Sequence, residues 1–212
     1  GGCLDVSTES RVSWTGHTTL TNNAANRGGV LYMWDSHISW TGNTMFADNV
    51  AYTDGGAVYA TAKSVVYCNG TTAFLNNTAS AGNGGALGVY GFGSTDGSYV
   101  NIAGETTFAD NFALLNGGAV FSSANRQGQH YAGVIFNSNS AGVGGAVASF
   151  GTGNNNETEA ATPTTFSSCH FIDNTATETG GALETAFGQE KMVSCHFENN
   201  SADMGGALRL GG

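Results

Sequence analysis

Residues 46–60 read FADNVAYTDGGAVYA and contain both halves of a motif that recurs along the chain. The first half is Phe-x-x-Asn-x-Ala, and the second is a Gly-Gly pair followed by a small or aliphatic residue. The glycine pairs begin at residues 1, 28, 55, 84, 117, 144, 180 and 205, so successive pairs are 25 to 36 residues apart. A repeat of this length indicates a solenoid, in which each unit buries its apolar residues by stacking on its neighbours.

The first half of the motif is present in seven copies, the first with leucine in place of phenylalanine. We interpret its residues as structural: the rings stack inside the rod, and the asparagines form amide ladders and adopt a left-handed backbone at a turn. The glycine pair supplies positive φ, and the alanine fits a tight corner. In chain order the ring and asparagine positions are Leu20 and Asn23, Phe46 and Asn49, Phe74 and Asn77, Phe108 and Asn111, Phe136 and Asn139, Phe171 and Asn174, and Phe197 and Asn200.

Between these positions lie short apolar stretches, such as residues 12–14, 38–40, 57–59 and 65–67, which predict strands too short to bury a face alone. Residues that favour helices do not cluster with a 3.6-residue period. We therefore predict an all-β fold, a right-handed single-stranded parallel β-helix of about seven coils of 25–36 residues. Residues 1–212 are expected to be a single domain and a segment of a longer solenoid or fibre subunit.

The arrangement Phe-x-x-Asn followed by Gly-Gly-Ala-Val/Leu resembles the repeats of the chlamydial polymorphic outer membrane proteins. The resemblance extends from Leu20 to Leu208. It implies a β-helical segment displayed outside the cell, often with adhesive function. We accordingly expect an extracellular or cell-surface location.

The charge balance limits the partners that the chain can bind. It has 16 acidic and 6 basic residues, a net charge of −10, so neither nucleic acid nor an anionic membrane surface is expected as a partner. No apolar run approaches the length of a membrane-spanning helix. We expect no cofactor and no metal. The expected partners are a second copy of the chain, stacked head to tail, or other surface or matrix components, including glycans.

Two cysteines and two histidines occupy equivalent positions in adjacent repeats, in Cys169-His170-Phe171 and Cys195-His196-Phe197. Because side chains alternate along a strand, each cysteine is expected to point inward and each histidine outward, which argues against a Cys/His zinc site. Cys169 and Cys195 are either a disulfide or two buried free thiols. His170 and His196 are interpreted as solvated surface residues.

Four N-glycosylation sequons are present. If the chain is secreted from a eukaryotic cell, we predict glycans at these positions. The sequons lie at Asn69, Asn76, Asn156 and Asn199.

Three repeats are longer than the others, and their additional residues follow the Gly-Gly-Ala strand at 88–98, 122–130 and 150–162. All three lie at the same point of the repeat and are expected to project from one edge of the rod. Loops on one face of a solenoid commonly carry recognition. Neutral variation in length at a tolerant corner is the alternative.

Catalysis is the main alternative function, because some parallel β-helices cleave polysaccharides. The candidate carboxylates are Asp48, Asp110 and Asp173, which share one position in alternate repeats, about 10 Å apart at about 4.8 Å per strand. That distance is too long for a retaining pair and lies at the far edge for an inverting pair, and turn chemistry explains an Asp at this position, so we assign no catalytic residue. We expect a non-catalytic structural or adhesive surface protein, the body of a filament or stalk. Neither end of the sequence shows a capping element, which fits end-to-end stacking, a longer parent protein or an omitted cap.

Overall fold

The computed structural model describes residues 2–91, 97–123, 128–151 and 162–211. These residues form 28 strands of two to five residues and no helix. None of the described residues therefore forms a helix that could cross a membrane. The strands belong to four parallel sheets, which the chain enters in the order A, B, C and D.

The connections between sheets A and B vary most in length from coil to coil, from two residues at 35–36 to 13 residues at 151–163. Sheet A consists of Leu4–Ser7, Leu31–Trp34, Val58–Thr61, Leu87–Tyr90, Val120–Ser123, Val147–Phe150, Leu183–Ala186 and Leu208–Gly211. Sheet B consists of Arg11–Trp14, His37–Trp40, Val65–Cys68, Tyr99–Ile102, His130–Ala132, Thr164–Ser167 and Glu190–Val193.

Sheets C and D carry the first half of the motif. Sheet C consists of Thr18–Thr21, Thr44–Ala47, Thr72–Leu75, Thr106–Ala109, Ile135–Asn137, His170–Ile172 and His196–Glu198. Sheet D consists of Ala24–Ala25, Val50–Ala51, Thr78–Ala79, Phe112–Ala113, Ser140–Val143 and Thr175–Thr179.

Every strand pairs in parallel with the equivalent strand of the next coil. Paired strands are four apart in chain order, except that Leu183–Ala186 pairs with Leu208–Gly211 three strands later. This topology is a parallel β-helix of about seven coils, and it confirms the predicted fold class. In-register pairing places identical motif positions above one another; for example, Phe74 pairs with Phe46 on one side and Phe108 on the other.

The phenylalanines form a continuous column inside the rod. The rings of Phe46 and Phe74 are 4.7 Å apart with an interplanar angle of 3°, and those of Phe74 and Phe108 are 4.6 Å apart at 2°. The column continues through Phe136, Phe171 and Phe197. Apolar side chains of sheets A and B pack against it and complete the core.

The asparagines form a ladder beside this column. Asn111 shows the pattern: its Nδ2 donates to Oδ1 of Asn139 and to the carbonyl oxygen of Phe74, both at 2.9 Å. Its backbone N–H also donates to Oδ1 of Asn139, at 3.1 Å. Equivalent bonds link the ladder from Asn23 to Asn200.

The left-handed residue of this turn is not the ladder asparagine, so that part of the sequence interpretation was wrong. The residue immediately before each ladder asparagine has φ between 51° and 57°. The ladder asparagine must direct its side chain inward, so the backbone reverses one residue earlier, where a short polar residue that is exposed or half-exposed tolerates positive φ. These residues are Asn22, Asp48, Asn76, Asp110, Ser138, Asp173 and Asn199.

The two glycines of each pair serve different purposes. The first has positive φ, as in Gly117 at 65°. The second does not, but it lies against the next coil: a Cβ on Gly118 would overlap the carbonyl oxygen of Gly145 and lie 2.6 Å from the backbone nitrogen of Ser140. Close approach of coils therefore requires the second glycine.

Candidate functional site

The long insertions all occur where the chain passes from sheet A to sheet B, a region that we call the loop corner. It comprises the connections 91–98, 124–129 and 151–163 of three consecutive coils, against 35–36 and 62–64 in the two coils before them. Residues 92–96, 124–127 and 152–161 lie outside the described part of the chain. The predicted bounds of the insertions were too wide, because they include strand residues. These are Gly88, Ser122, His130 and Phe150.

The interior of the rod beneath the loop corner is polar. Ser122, Ser149, Thr164 and Glu190 line a cavity of about 20 Å³, enough for one water molecule. Burial raises the pKa of Glu190, and its Oε1 has no hydrogen-bond partner among the described residues. Nearby, buried Gln129 accepts a 2.6 Å hydrogen bond from the backbone N–H of Val100.

An aromatic column runs along the outer face of sheet A and ends at the loop corner. Tyr32 and Tyr59 stack at 5.4 Å, Tyr59 and Tyr90 are 5.0 Å apart, and Tyr90 lies 5.3 Å from Phe121. Phe150 continues the column at 5.6 Å from Phe121. Although these rings point away from the core, Tyr59 and Phe121 are each only 5% exposed.

A chain of polar side chains covers part of this column. Asp54 Oδ1 accepts hydrogen bonds from Tyr90 Oη at 2.7 Å and from Asn83 Nδ2 at 3.0 Å. Asn116 donates to Asn83, and Arg27 lies over the Tyr59 ring and near Asp54. Burial and the Asp54 carboxylate raise the pKa of Tyr90 well above its usual range. The sequence reasoning missed this network, whose Arg27, Asp54, Asn83 and Asn116 lie directly before four consecutive glycine pairs.

The three candidate carboxylates do not converge. Asp48, Asp110 and Asp173 are exposed, and each follows a strand of sheet C in alternate coils. Asn76 of the intervening coil donates to Asp48 at 2.7 Å. An aspartate at these positions is explained by the turn in which it lies, and the three carboxylates do not form the paired acid and base of a glycosidase.

The cysteines and histidines divide between the inside and outside of sheet C. Cys169 is buried, and its thiol donates to the carbonyl oxygen of Tyr131 at 3.5 Å. Burial raises the pKa of the Cys169 thiol to about 11. Cys195 is half-buried, and both are free cysteines in the structure; the disulfide stays a prediction.

His170 and His196 lie outside, with ring centroids 5.7 Å apart, and His196 lies 3.2 Å from Glu198. Within the described ranges no group of three or more His, Cys, Asp or Glu residues could hold a metal ion.

Three of the four sequon asparagines are exposed on the described surface, namely Asn69, Asn76 and Asn199. Asn76 uses its side-chain amide to bond Asp48. Asn156 lies outside the described residues. Glycosylation at these four positions remains a prediction.

The comparisons with known proteins agree with the motif. Residues 43–61, which span one Phe-x-x-Asn and Gly-Gly unit, match the family model described as the Chlamydia polymorphic membrane protein repeat. No curated protein and no solved structure matches the chain. The family is one of surface-associated proteins and is not a known class of enzymes. The chain therefore carries the Chlamydia polymorphic membrane protein repeat, the repeat that its recurring motif resembles.

Proposed function

We propose that the chain is the rigid, non-catalytic body of an extracellular surface stalk that presents the loop corner for adhesion. One observation supports this most strongly. The Phe column runs unbroken from Phe46 to Phe197 and the Asn ladder from Asn23 to Asn200, whereas the long insertions are concentrated at a single corner. A rigid scaffold with variation confined to one edge is the arrangement of a display protein.

A loop-exchange variant tests adhesion. Residues 151–163 are replaced by Ala-Lys-Ser, the sequence of the short connection 62–64. Beads coated with either protein are applied to extracellular matrix deposited by cultured fibroblasts. We expect the exchange to preserve the β-sheet circular dichroism spectrum and to reduce bead retention about 5-fold or more. Equal retention by both proteins would overturn the adhesive role of this loop.

Polysaccharide cleavage is the alternative function, and the exposed carboxylates of the sheet C turns are its candidates. Incubation of the purified chain with polygalacturonate and with neutral glucans tests it, with reducing ends as the readout. We expect no release above a boiled control. Release that Asp110→Asn abolishes would replace the structural proposal with an enzymatic one.

We further propose that copies of the chain stack end to end. Gly206 supports this, because it retains the second glycine of the pair, although a Cβ at this position would come no closer than 3.4 Å to another atom, the Asn200 carbonyl oxygen. In the coils before it, the same position accommodates the carbonyl of the next coil. Negative-stain microscopy and sedimentation should show rods that Gly206→Leu shortens to single units. Rods of unchanged length would contradict stacking on this edge.

A further inference from the structure

A groove lies on the outer face of sheet B in the first three coils, apart from the loop corner. Its volume is about 340 Å³, which falls in the range of small-ligand sites. Five exposed or half-exposed side chains line it together with the strand backbone at Val12 and Ile38. They are Arg11, Ser13, His37, Ser39 and Tyr67.

Strand register explains the shape of the groove. Ser13, Ser39 and Tyr67 occupy one position in successive coils, and Arg11 and His37 occupy the position two residues before it on the same face. The two short serines form a low floor. Arg11 and His37 form one wall, and the Tyr67 ring, 38% exposed and edge-on to Tyr99, closes one end.

The charge of the groove is opposite to that of the chain. The net charge of the chain is −10, yet Arg11, one of its six basic residues, lies in the groove beside His37. Arg27 pairs with Asp54, and Arg209 pairs with Glu184. In the described part of the chain, by contrast, Arg11 makes no ion pair. Its planar guanidinium therefore keeps its donors available for a carboxylate, which it can bind with two parallel hydrogen bonds.

We propose that this sheet B groove binds a carboxylated sugar unit of an acidic polysaccharide. Arg11 holds the carboxylate, and a ring N–H of His37 donates a hydrogen bond to the sugar unit. The serine hydroxyls bond the sugar hydroxyls, while the Tyr67 ring packs against the apolar face of the sugar. A neutral sugar would leave Arg11 without its partner, so the site discriminates by charge.

The inference does not depend on the loop corner, because the groove lies in coils that have short connections between sheets A and B. The loop-exchange variant should retain this binding. Loss of adhesion and loss of saccharide binding are therefore separable results.

Calorimetric titration of the full chain with defined saccharides tests the proposal. The probes are hexamers of hyaluronan and of polygalacturonate, sialyllactose, and the carboxyl-reduced form of each. We expect at least one acidic probe to bind, and its reduced form to bind about 10-fold more weakly or worse. Absence of binding by every acidic probe, or equal binding of the reduced forms, would overturn the proposal.

Variants then locate the site. Arg11→Ala should weaken binding about 10-fold or more, and Tyr67→Ala about 5-fold. Lys191→Ala is the matched control, since Lys191 is an exposed cation on the outer face of the same sheet in another coil. It should change binding less than about 2-fold. Equal losses in Arg11→Ala and Lys191→Ala would indicate nonspecific charge attraction and contradict a built site. Circular dichroism establishes that each variant is folded.

Discussion

The side chain of Asn111 makes two hydrogen bonds as a donor and two as an acceptor, and all four lie inside the rod. It donates to Phe74 and Asn139, while its oxygen accepts from the backbone N–H and the side-chain amide of Asn77, both at 3.0 Å. No other residue type of this size offers two donors and a two-lone-pair acceptor on one short side chain. Asparagine therefore recurs for its hydrogen-bonding capacity.

Asn111→Ala should destabilise the fold by about 3 kcal/mol, because it leaves buried groups of Phe74 and Asn77 without partners. Urea unfolding followed by circular dichroism measures the loss. Asn137→Ala is the control, since that side chain lies on the outer face of sheet C, and it should cost less than about 0.5 kcal/mol. Equal costs for both variants would contradict the role given to the ladder.

The second glycine of each pair gives another residue-level prediction. Gly118→Ala should lower the free energy of unfolding by about 2 kcal/mol or more, because its Cβ would overlap the backbone of the neighbouring coil. Gly206→Ala, at the same motif position, should change the stability of the isolated chain by less than about 1 kcal/mol. Thermal melting at low protein concentration compares the two. A harmless Gly118→Ala would show that the coils are not packed this closely.

At the scale of elements, stability comes from columns that cross the coils. A strand of four residues buries too little surface to hold itself in place. Phe74 contacts the rings of Phe46 and Phe108 in the coils on either side, at 4.7 and 4.6 Å. Each coil is thus stabilised mainly by its neighbours, and damage to one coil should weaken the contacts of two others.

Phe108→Ala tests the phenylalanine column. We expect a loss of about 3–5 kcal/mol, since the variant leaves a cavity between two stacked rings. Phe112 belongs to the same coil but is 40% exposed, so Phe112→Ala should cost less than about 1 kcal/mol. Guanidinium unfolding of both variants provides the comparison. A larger loss of stability in Phe112→Ala than in Phe108→Ala would contradict the assignment of Phe108 to the core.

At the scale of the whole molecule, much of the fold follows from the repeat. In-register stacking buries Phe46, Phe74 and Phe108 together, and their recurrence in the sequence predicted the column. The left-handed residue was misplaced by one position, because a sequence pattern does not reveal which of two adjacent polar residues turns the backbone. The Asp54–Tyr90 contact was missed, since it joins residues whose periodicity is broken by substitution from coil to coil.

The candidate sites were harder to predict from the sequence than the fold was. The sheet B groove depends on which side chains share an outer face, and Arg11 and His37 come from coils that show no common motif at that position. The loop corner was predictable as a location, because length variation is visible in the repeat. Its chemistry was not, because the insertions contain no recognisable motif.

Pulsed electron paramagnetic resonance tests the central claim, that equivalent positions stack one coil above another. Thr19, Ile135 and His196 are exposed and occupy the same aligned position of sheet C. Ile135 lies four strands from Thr19, and His196 lies six strands from Thr19. In a chain whose own cysteines are replaced by alanine, spin labels at Thr19 and Ile135 should be about 19 Å apart, and labels at Thr19 and His196 about 29 Å apart. If the distance between the labels does not increase by about 5 Å for each strand that separates them, the β-helix is contradicted.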